Sequence, residues 1–364
     1  MFKLLSSCRG MPTQREIIEV ERYDVSSLCV AAAISYQGRQ TYMEDRFSVL
    51  TNINGSEISL YAIFDGHAGE FAADYAKDII MPNIAQKLSD VLDLLKLKTE
   101  KSAKDKELNK RNKTENTEDA IEEDLIQGNP LNVYITSENL INYNKLLYDE
   151  IISNDAALTQ RMANAALFGG TTANIVLVDL TCHNKTQSGV VVCANVGDSR
   201  AILCDSKGIA YNLSKDHKPD NPEELSRIQS NGGYVSNKSG CWRVDGSLAC
   251  SRSLGDYPLK QRKVLIADPD IRFYDIKDHK NLPKFIIIGS DGLFDVFGNQ
   301  EICDYAKTKL KENHYGARSL MKKAYARKSS DNISVIVIKF IKPKAKKAPK
   351  PSYDLTSNTY EWLK

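Results

Sequence analysis

The sequence predicts an α+β fold built on antiparallel sheet. Three observations carry that prediction. Short apolar runs bounded by turn residues recur along the chain, stretches with apolar spacing of three and four separate them, and the two kinds come in blocks.

Residues 30–34, 47–50 and 58–64 read as strands. A helix is expected from Glu70 to about Lys87, because Phe71, Ala72, Tyr75, Ala76, Ile79 and Ile80 fall on one face. Pro82 is expected to kink or end it. Residues 97–124 almost lack large apolar side chains, which predicts a solvated, mobile insertion. A second helical region is expected over residues 137–167, with Ser137 as N-cap.

Further strands are expected at 172–180, 189–195 and 200–204, the last two joined by a tight turn at Val196-Gly197-Asp198-Ser199. Residues 214–262 are polar and rich in Gly, Pro and Ser. They hold one short helix, Pro222–Ser230, closed by Gly232-Gly233. Strands return at 285–288 and 333–340, separated by helical pieces near 300–310 and 317–327.

Composition sets the outer limits. With 364 residues, 42% hydrophobic and 26% charged, the chain can form one large domain or two modest ones. A net charge of +2 gives no global field directed at nucleic acid or an anionic membrane. No apolar run approaches the roughly 18 residues needed to span a bilayer. The start, MFKLLSSCRG, is short for a secretory signal and lacks the Gly at position 2 required for myristoylation. Eight cysteines are scattered without a CxxC pair, and Cys193, Cys204 and Cys250 read as reduced, buried thiols. The expectation is a soluble intracellular protein.

The chemistry lies in the aspartates. Asp65 follows an apolar run and leads into Gly66-His67, and Asp291 follows another and leads into Gly292. Asp331 stands with Asn332 just before the last strand, Asp198 in the turn between two strands, and Glu44-Asp45 just before a third. Acids held at strand ends can converge on one rim of a sheet. Packed together they would repel and raise one another's pKa. Hard divalent cations relieve that repulsion, and Mg²⁺ or Mn²⁺ suits oxygen ligands; zinc suits the chain less, since no His/Cys grouping has ligand spacing.

Nine stretches in order resemble the metal-dependent protein phosphatase 2C family over residues 34–340. They are MEDRF at 43–47, FDGHAGE at 64–70, GGTTA at 169–173, ANVGDSRA at 194–201, LSKDHKP at 213–219, WRVDGSLACSRSLGDYPLK at 242–260, DPDI at 268–271, SDGLFDVF at 290–297 and SSDNISVIVI at 329–338. The resemblance implies a pair of antiparallel sheets flanked by helices, a four-layer αββα sandwich with a binuclear metal site at one end. It implies a catalytic domain at 29–340 with a flap near 215–257, after an N-terminal extension at 1–28; the tail at 341–364, basic and Pro-interrupted, is expected to be disordered.

By that likeness Asp65 bridges two Mg²⁺ or Mn²⁺ ions. Glu44 and the Gly66 carbonyl serve one ion, and Asp291 and Asp331 the other. Asp45 holds a metal-bound water, and Asp198, Asp291 and Asp295 support a weaker third ion. Thr172 and Asn332 stand behind the ligands. The implied reaction is hydrolysis of phosphoserine and phosphothreonine in proteins by a metal-bridged hydroxide, with His67 as general acid. Implied partners are phosphorylated proteins, for a monomer of the cytoplasm whose basic tail admits a nuclear destination as well.

Three departures stand out. Family members carry an arginine five residues before the aspartate of MED, to grip phosphate; here Gln40 holds that place and Arg39 precedes it. An amide cannot give the bidentate, charged contact of guanidinium. Either Arg39 reaches in through a bulge or the phosphate grip is weaker. Ala68 replaces a common glycine, tolerable unless its φ is positive. The insertion at 97–124 is the third. Two other readings stay open: an inactive relative that binds partners as a scaffold, and a hydrolase of small phosphates or phosphotyrosine. Trp242 and Arg243 of the flap are candidates to contact substrate.

Overall fold

The computed structural model describes residues 17–26, 28–111, 128–181, 189–277 and 282–341. Two antiparallel sheets face one another. One runs in the order β1 (Ile17–Ser26), β2 (Cys29–Tyr36), β16 (Ile333–Phe340), β15 (Phe285–Gly289), β9 (Arg200–Cys204), β10 (Ala210–Asn212). The other runs β14 (Asp270–Ile276), β8 (Gly189–Val196), β7 (Ala173–Asp179), β4 (Ile58–Phe64), β3 (Arg46–Leu50).

The central strands read as unbroken apolar runs because each face of each sheet is covered. On β4, Tyr61 and Ile63 pack between the sheets with Ile286, Ile288, Ile336 and Ile338. Their alternates Leu60, Ala62 and Phe64 meet a helical layer on the outside. That layer follows a short helix α1 (Phe71–Tyr75) and consists of α2 (Met81–Arg111) and α3 (Tyr143–Asn164). Ile84 and Leu88 of α2 and Leu146 and Ile151 of α3 supply its contacts. After the small helices α4 (Pro222–Ser230), α5 (Tyr257–Gln261) and α6 (Asp291–Phe294), the opposite layer is α7 (Asn299–Lys309) and α8 (Ala317–Ala326). Ile302 and Leu320 there pack on Ile287, Val335 and Val337. The expected helix–sheet–sheet–helix order holds.

Two minor sheets position the site. β5 (Gly66–His67), β6 (Gly170–Thr171) and β13 (Leu254–Gly255) form one, in the order β13-β6-β5. β11 (Val235–Lys238) and β12 (Cys241–Val244) form a hairpin within the flap. The flap has a small core of its own in Ile228, Val244 and Val264.

Several boundaries differ from the sequence reading. Residues 17–26, within the span 1–28, pair with β2 as the edge strand of the larger sheet. Pro82 does not end the first helix. A π-turn at Ala76–Ile80 precedes it, with the Met81 N–H bonded to Ala76 O; the widened turn makes room for a ring that would otherwise clash with the carbonyl four residues back. Helix α2 then runs on to Arg111, so residues 97–111 of the expected insertion are helical. Once Leu88, Val91 and Leu94 are anchored, adding Lys and Glu residues to a formed helix costs little. Residues 112–124, like 1–16 and the tail from 342, lie outside the described residues.

Asn142, not Ser137, caps α3, its Oδ1 accepting the Lys145 N–H at 3.1 Å. The turn at 196–199 is not a hairpin: β8 and β9 lie in opposite sheets. Local pattern could not show this, since β8 is buried throughout and β9 nearly so. Strand β14, which pairs with β8, was missed because its DIRFYDI text alternates with polar residues in an already polar region.

Candidate active site

Asp65 leaves the end of β4, where the chain bends toward Gly66. Thr172 pins that bend: its N–H donates to Asp65 O at 2.9 Å and its Oγ1 accepts the Asp65 N–H at 3.0 Å. Thr172 Oγ1 also lies 2.7 Å from Ser199 Oγ, which ties Asp65 to the crossing turn that carries Asp198. Asn332 performs a similar task for Glu44. Its Oδ1 accepts the Glu44 N–H at 2.8 Å, and its Nδ2 donates to Gln37 O and Tyr42 O. Gly292 is required by the neighbouring strand: a Cβ there would lie 1.9 Å from Asn332 O.

The result is one cleft of about 500 Å³ lined by Glu44, Asp65, Gly66, His67, Asp198, Asp291 and Asp331. Burial pushes the Asp65 carboxyl well above its ordinary range, with Asp45, Asp291, Asp198 and Asp331 adding repulsion. Burial likewise raises Asp291, with Asp198, Asp295 and Asp331 behind it. Asp45 does not line the cleft. It is buried beneath, accepts Ser290 Oγ–H at 2.8 Å, and is pushed up to about 7, chiefly by burial. Asp295 also stands off the cleft surface, raised by burial and opposed by Lys218.

These groups suit a hard divalent cation in donor chemistry. They are oxygen donors, buried and mutually repelling, and a cation would lift the cost of ionising them together. Among the described residues no three His, Cys, Asp or Glu side chains already close round a common point. Lys218 partly fills the cationic role, its Nζ donating to Asp198 Oδ2. Burial disfavours its charge, yet Asp198 and Asp291 outweigh that and raise it.

His67 sits at the cleft edge, on β5, with Nε2 2.7 Å from Asp256 Oδ2. Asp256 is itself buried and accepts Ser253 Oγ–H at 2.5 Å. Burial works against a charged imidazole here, but Asp256 outweighs it and the His67 pKa is raised.

A family model described as protein phosphatase 2C matches residues 31–140 and 132–333. The chain belongs to the protein phosphatase 2C family. It is 38% identical over 313 residues to protein phosphatase 1L of Bos taurus, covering 85% of this chain and 72% of that one. It is 32% identical to probable protein phosphatase 2C 45 of Oryza sativa subsp. japonica, over 84% and 86% of the two chains. A crystal structure of serine-threonine phosphatase 2C from Toxoplasma gondii shares the fold, with TM-score 0.65, 22% identity and coverage of 90% and 98%.

Within this 2C phosphatase the question of Arg39 and Gln40 has a structural answer. Gln40 lines the cleft and Arg39 does not. Arg39 turns toward α8, donating to Ser329 O at 2.6 Å and Tyr325 O at 2.9 Å, with its guanidinium 4.0 Å from the Tyr325 ring centroid. No bulge brings it back. Arg243 of the flap does line the cleft, its Nη1 donating to Ser247 O at 2.5 Å. Ala68 has φ of +55°, the strained case that its methyl was expected to tolerate poorly. Trp242 is half-exposed on the flap hairpin and does not line the cleft.

Two site residues escaped the sequence reading, Asp256 and Lys218. Both stood inside quoted motifs, SLGDYPLK and LSKDHKP. Their separation from His67 by 189 residues and from Asp198 by 20 left no local signal that they meet.

Proposed function

We propose that this phosphatase hydrolyses phosphoserine and phosphothreonine esters in proteins, using two Mg²⁺ or Mn²⁺ ions held in the acidic cleft. The observation that carries the reading is the convergence of Glu44, Asp65, Asp198, Asp291 and Asp331, from five separate segments, beside a histidine held by its own carboxylate. Asp65, Glu44, the Gly66 carbonyl, Asp291 and Asp331 would hold the two ions. Asp198, Asp291 and Asp295 would hold a weaker third, in competition with Lys218. Bound there, divalent cations would supply Lewis-acid stabilisation of the phosphoryl group and acidify a water toward neutral pH.

The protein's own groups do the rest. His67 stands to protonate the departing serine or threonine oxygen, a role worth typically 10²–10⁴-fold. Asp256 fixes the ring and favours its protonated form. Gln40 and Arg243 both line the cleft and would offer an amide and a guanidinium to the phosphate. Asp45, buried behind the cleft and held by the Ser290 hydroxyl, would hold a water bound to one of the ions.

A scaffold without turnover is the second reading, favoured by one observation: Arg39 is committed to α8. Assays on phosphoserine, phosphothreonine and phosphotyrosine peptides, with and without Mn²⁺, separate the two. Metal-dependent release from the first two peptides is expected. Undetectable turnover at saturating Mn²⁺ would favour the scaffold. Asp65→Asn and Asp291→Asn should abolish turnover in folded protein; near-normal rates in either would sink the ligand assignment.

A further inference from the structure

Beside His67 the cleft wall changes character. Phe168 lines it with 65% of its surface exposed, although a phenylalanine left in water forgoes a large burial gain. Its ring stacks on Tyr257, centroids 5.7 Å apart and planes 25° apart. Leu248, Ala249, Pro258 and Leu259 line the same cleft, so Phe168 is not the one apolar side chain presented there.

Backbone contacts fasten this shelf to the catalytic loop. The Asp256 N–H donates to Gly169 O at 2.8 Å, which joins the neighbours of the two rings. A Cβ on Gly169 would lie 2.4 Å from His67 O, so the chain at Phe168 presses directly on the loop carrying the histidine. Gly170 in turn pairs with His67 across β5 and β6. The stacked rings are therefore held one residue from the groups that hold His67.

We propose that Phe168, backed by the Tyr257 ring, forms a substrate subsite, taking an apolar side chain within two residues of the phosphorylated one. The inference rests on the phosphatase reading above. Continuity with the cleft identifies the occupant: Phe168 and the acidic floor line one cleft, so a segment that places its phosphate over that floor brings its flanking side chains beside this wall. An extended segment advances about 3.3 Å per residue, so neighbouring side chains stay within reach of it. The acidic floor argues against a carboxylate flank, and the aromatic shelf favours leucine or phenylalanine.

The test uses phosphoserine peptides carrying Leu, Gly, Glu or Lys in turn at each position from two before to two after the phosphoserine. With the full chain in Mn²⁺, Leu at one of these positions should raise kcat/KM about fivefold over Gly. In Phe168→Ala that ratio should fall toward one. In Phe168→Glu the preference should pass to Lys, and this variant decides the matter if the alanine protein folds poorly. No flank preference in the wild type, or one that survives in both variants, overturns the shelf alone. No turnover of any peptide overturns the phosphatase reading, and the shelf with it.

Discussion

His67 Nε2 and Asp256 Oδ2 stand 2.7 Å apart, and Ser253 Oγ–H donates to that same carboxylate oxygen at 2.5 Å. The pair joins β5 to the loop before α5, and through it the flap's C-terminal end is tied to His67. Asp256→Asn removes the charge while keeping the shape. It should lower kcat on phosphoserine peptides by about tenfold or more, with little change in KM. p-Nitrophenyl phosphate, whose leaving group needs little protonation, should be affected far less. Equal losses on both substrates would show that the pair is only structural.

Arg39 and Gln40 are neighbours with opposite assignments. Arg39→Ala removes two hydrogen bonds to backbone carbonyls and a cation–π contact. It should cost about 1–3 kcal/mol in stability and leave KM nearly unchanged. Gln40→Arg places a guanidinium in the cleft and should lower KM for phosphopeptides. Urea unfolding and steady-state kinetics on both variants check this, and a raised KM in Arg39→Ala would contradict the geometry.

Divalent cations should stabilise the fold, increasingly so as pH rises. Asp45, Asp65 and Asp291 have folded pKa values above the ordinary value of about 4, Asp45 at about 7. The folded protein therefore holds protons that the unfolded chain releases. Below about pH 4 the groups cost nothing, and metal-free stability falls as pH climbs through about 7. Mn²⁺ at 100 times its Kd should add about 2.7 kcal/mol. Melting curves in EDTA and in Mn²⁺ at pH 5.5 and 7.5 measure the effect. A Mn²⁺-induced shift that is absent, or larger at pH 5.5, would refute it.

Ala68 occupies the left-handed region at φ +55°. That conformation costs an L-residue about 1–2 kcal/mol, whereas glycine's extra freedom in the unfolded chain takes back about 0.4–1. Ala68→Gly should therefore gain roughly 0.5–1 kcal/mol. Thermal unfolding reads it directly, and a lower midpoint would mean that the methyl makes a contact worth more than the strain.

Much of the fold was legible. Strands β4, β7, β8, β15 and β16 are long apolar runs because covered sheets demand them, and the sequence marks them almost to the residue. Boundaries failed where a distant partner decides. β1 is a strand because β2 offers it an edge, and residues 97–111 are helical because earlier turns are anchored on a sheet. The crossing at 196–199 was illegible for the same reason, since burial on both faces erases the pattern that would tell a hairpin from a change of sheet.

At the site the division is similar. Residue chemistry and motif order by themselves picked out carboxylates at strand ends as a set suited to hard cations, with Asp65-Gly66-His67 as the expected centre. Tertiary structure alone decided which side chains face the cleft. It turned Arg39 onto Tyr325, left Gln40 and Arg243 lining the cleft, sank Asp45 beneath it, and brought Asp256 to His67 and Lys218 to Asp198. The reason is physical. Strand ends are local features set by periodicity, whereas a side chain's direction and partners depend on backbone joined across scores to hundreds of residues.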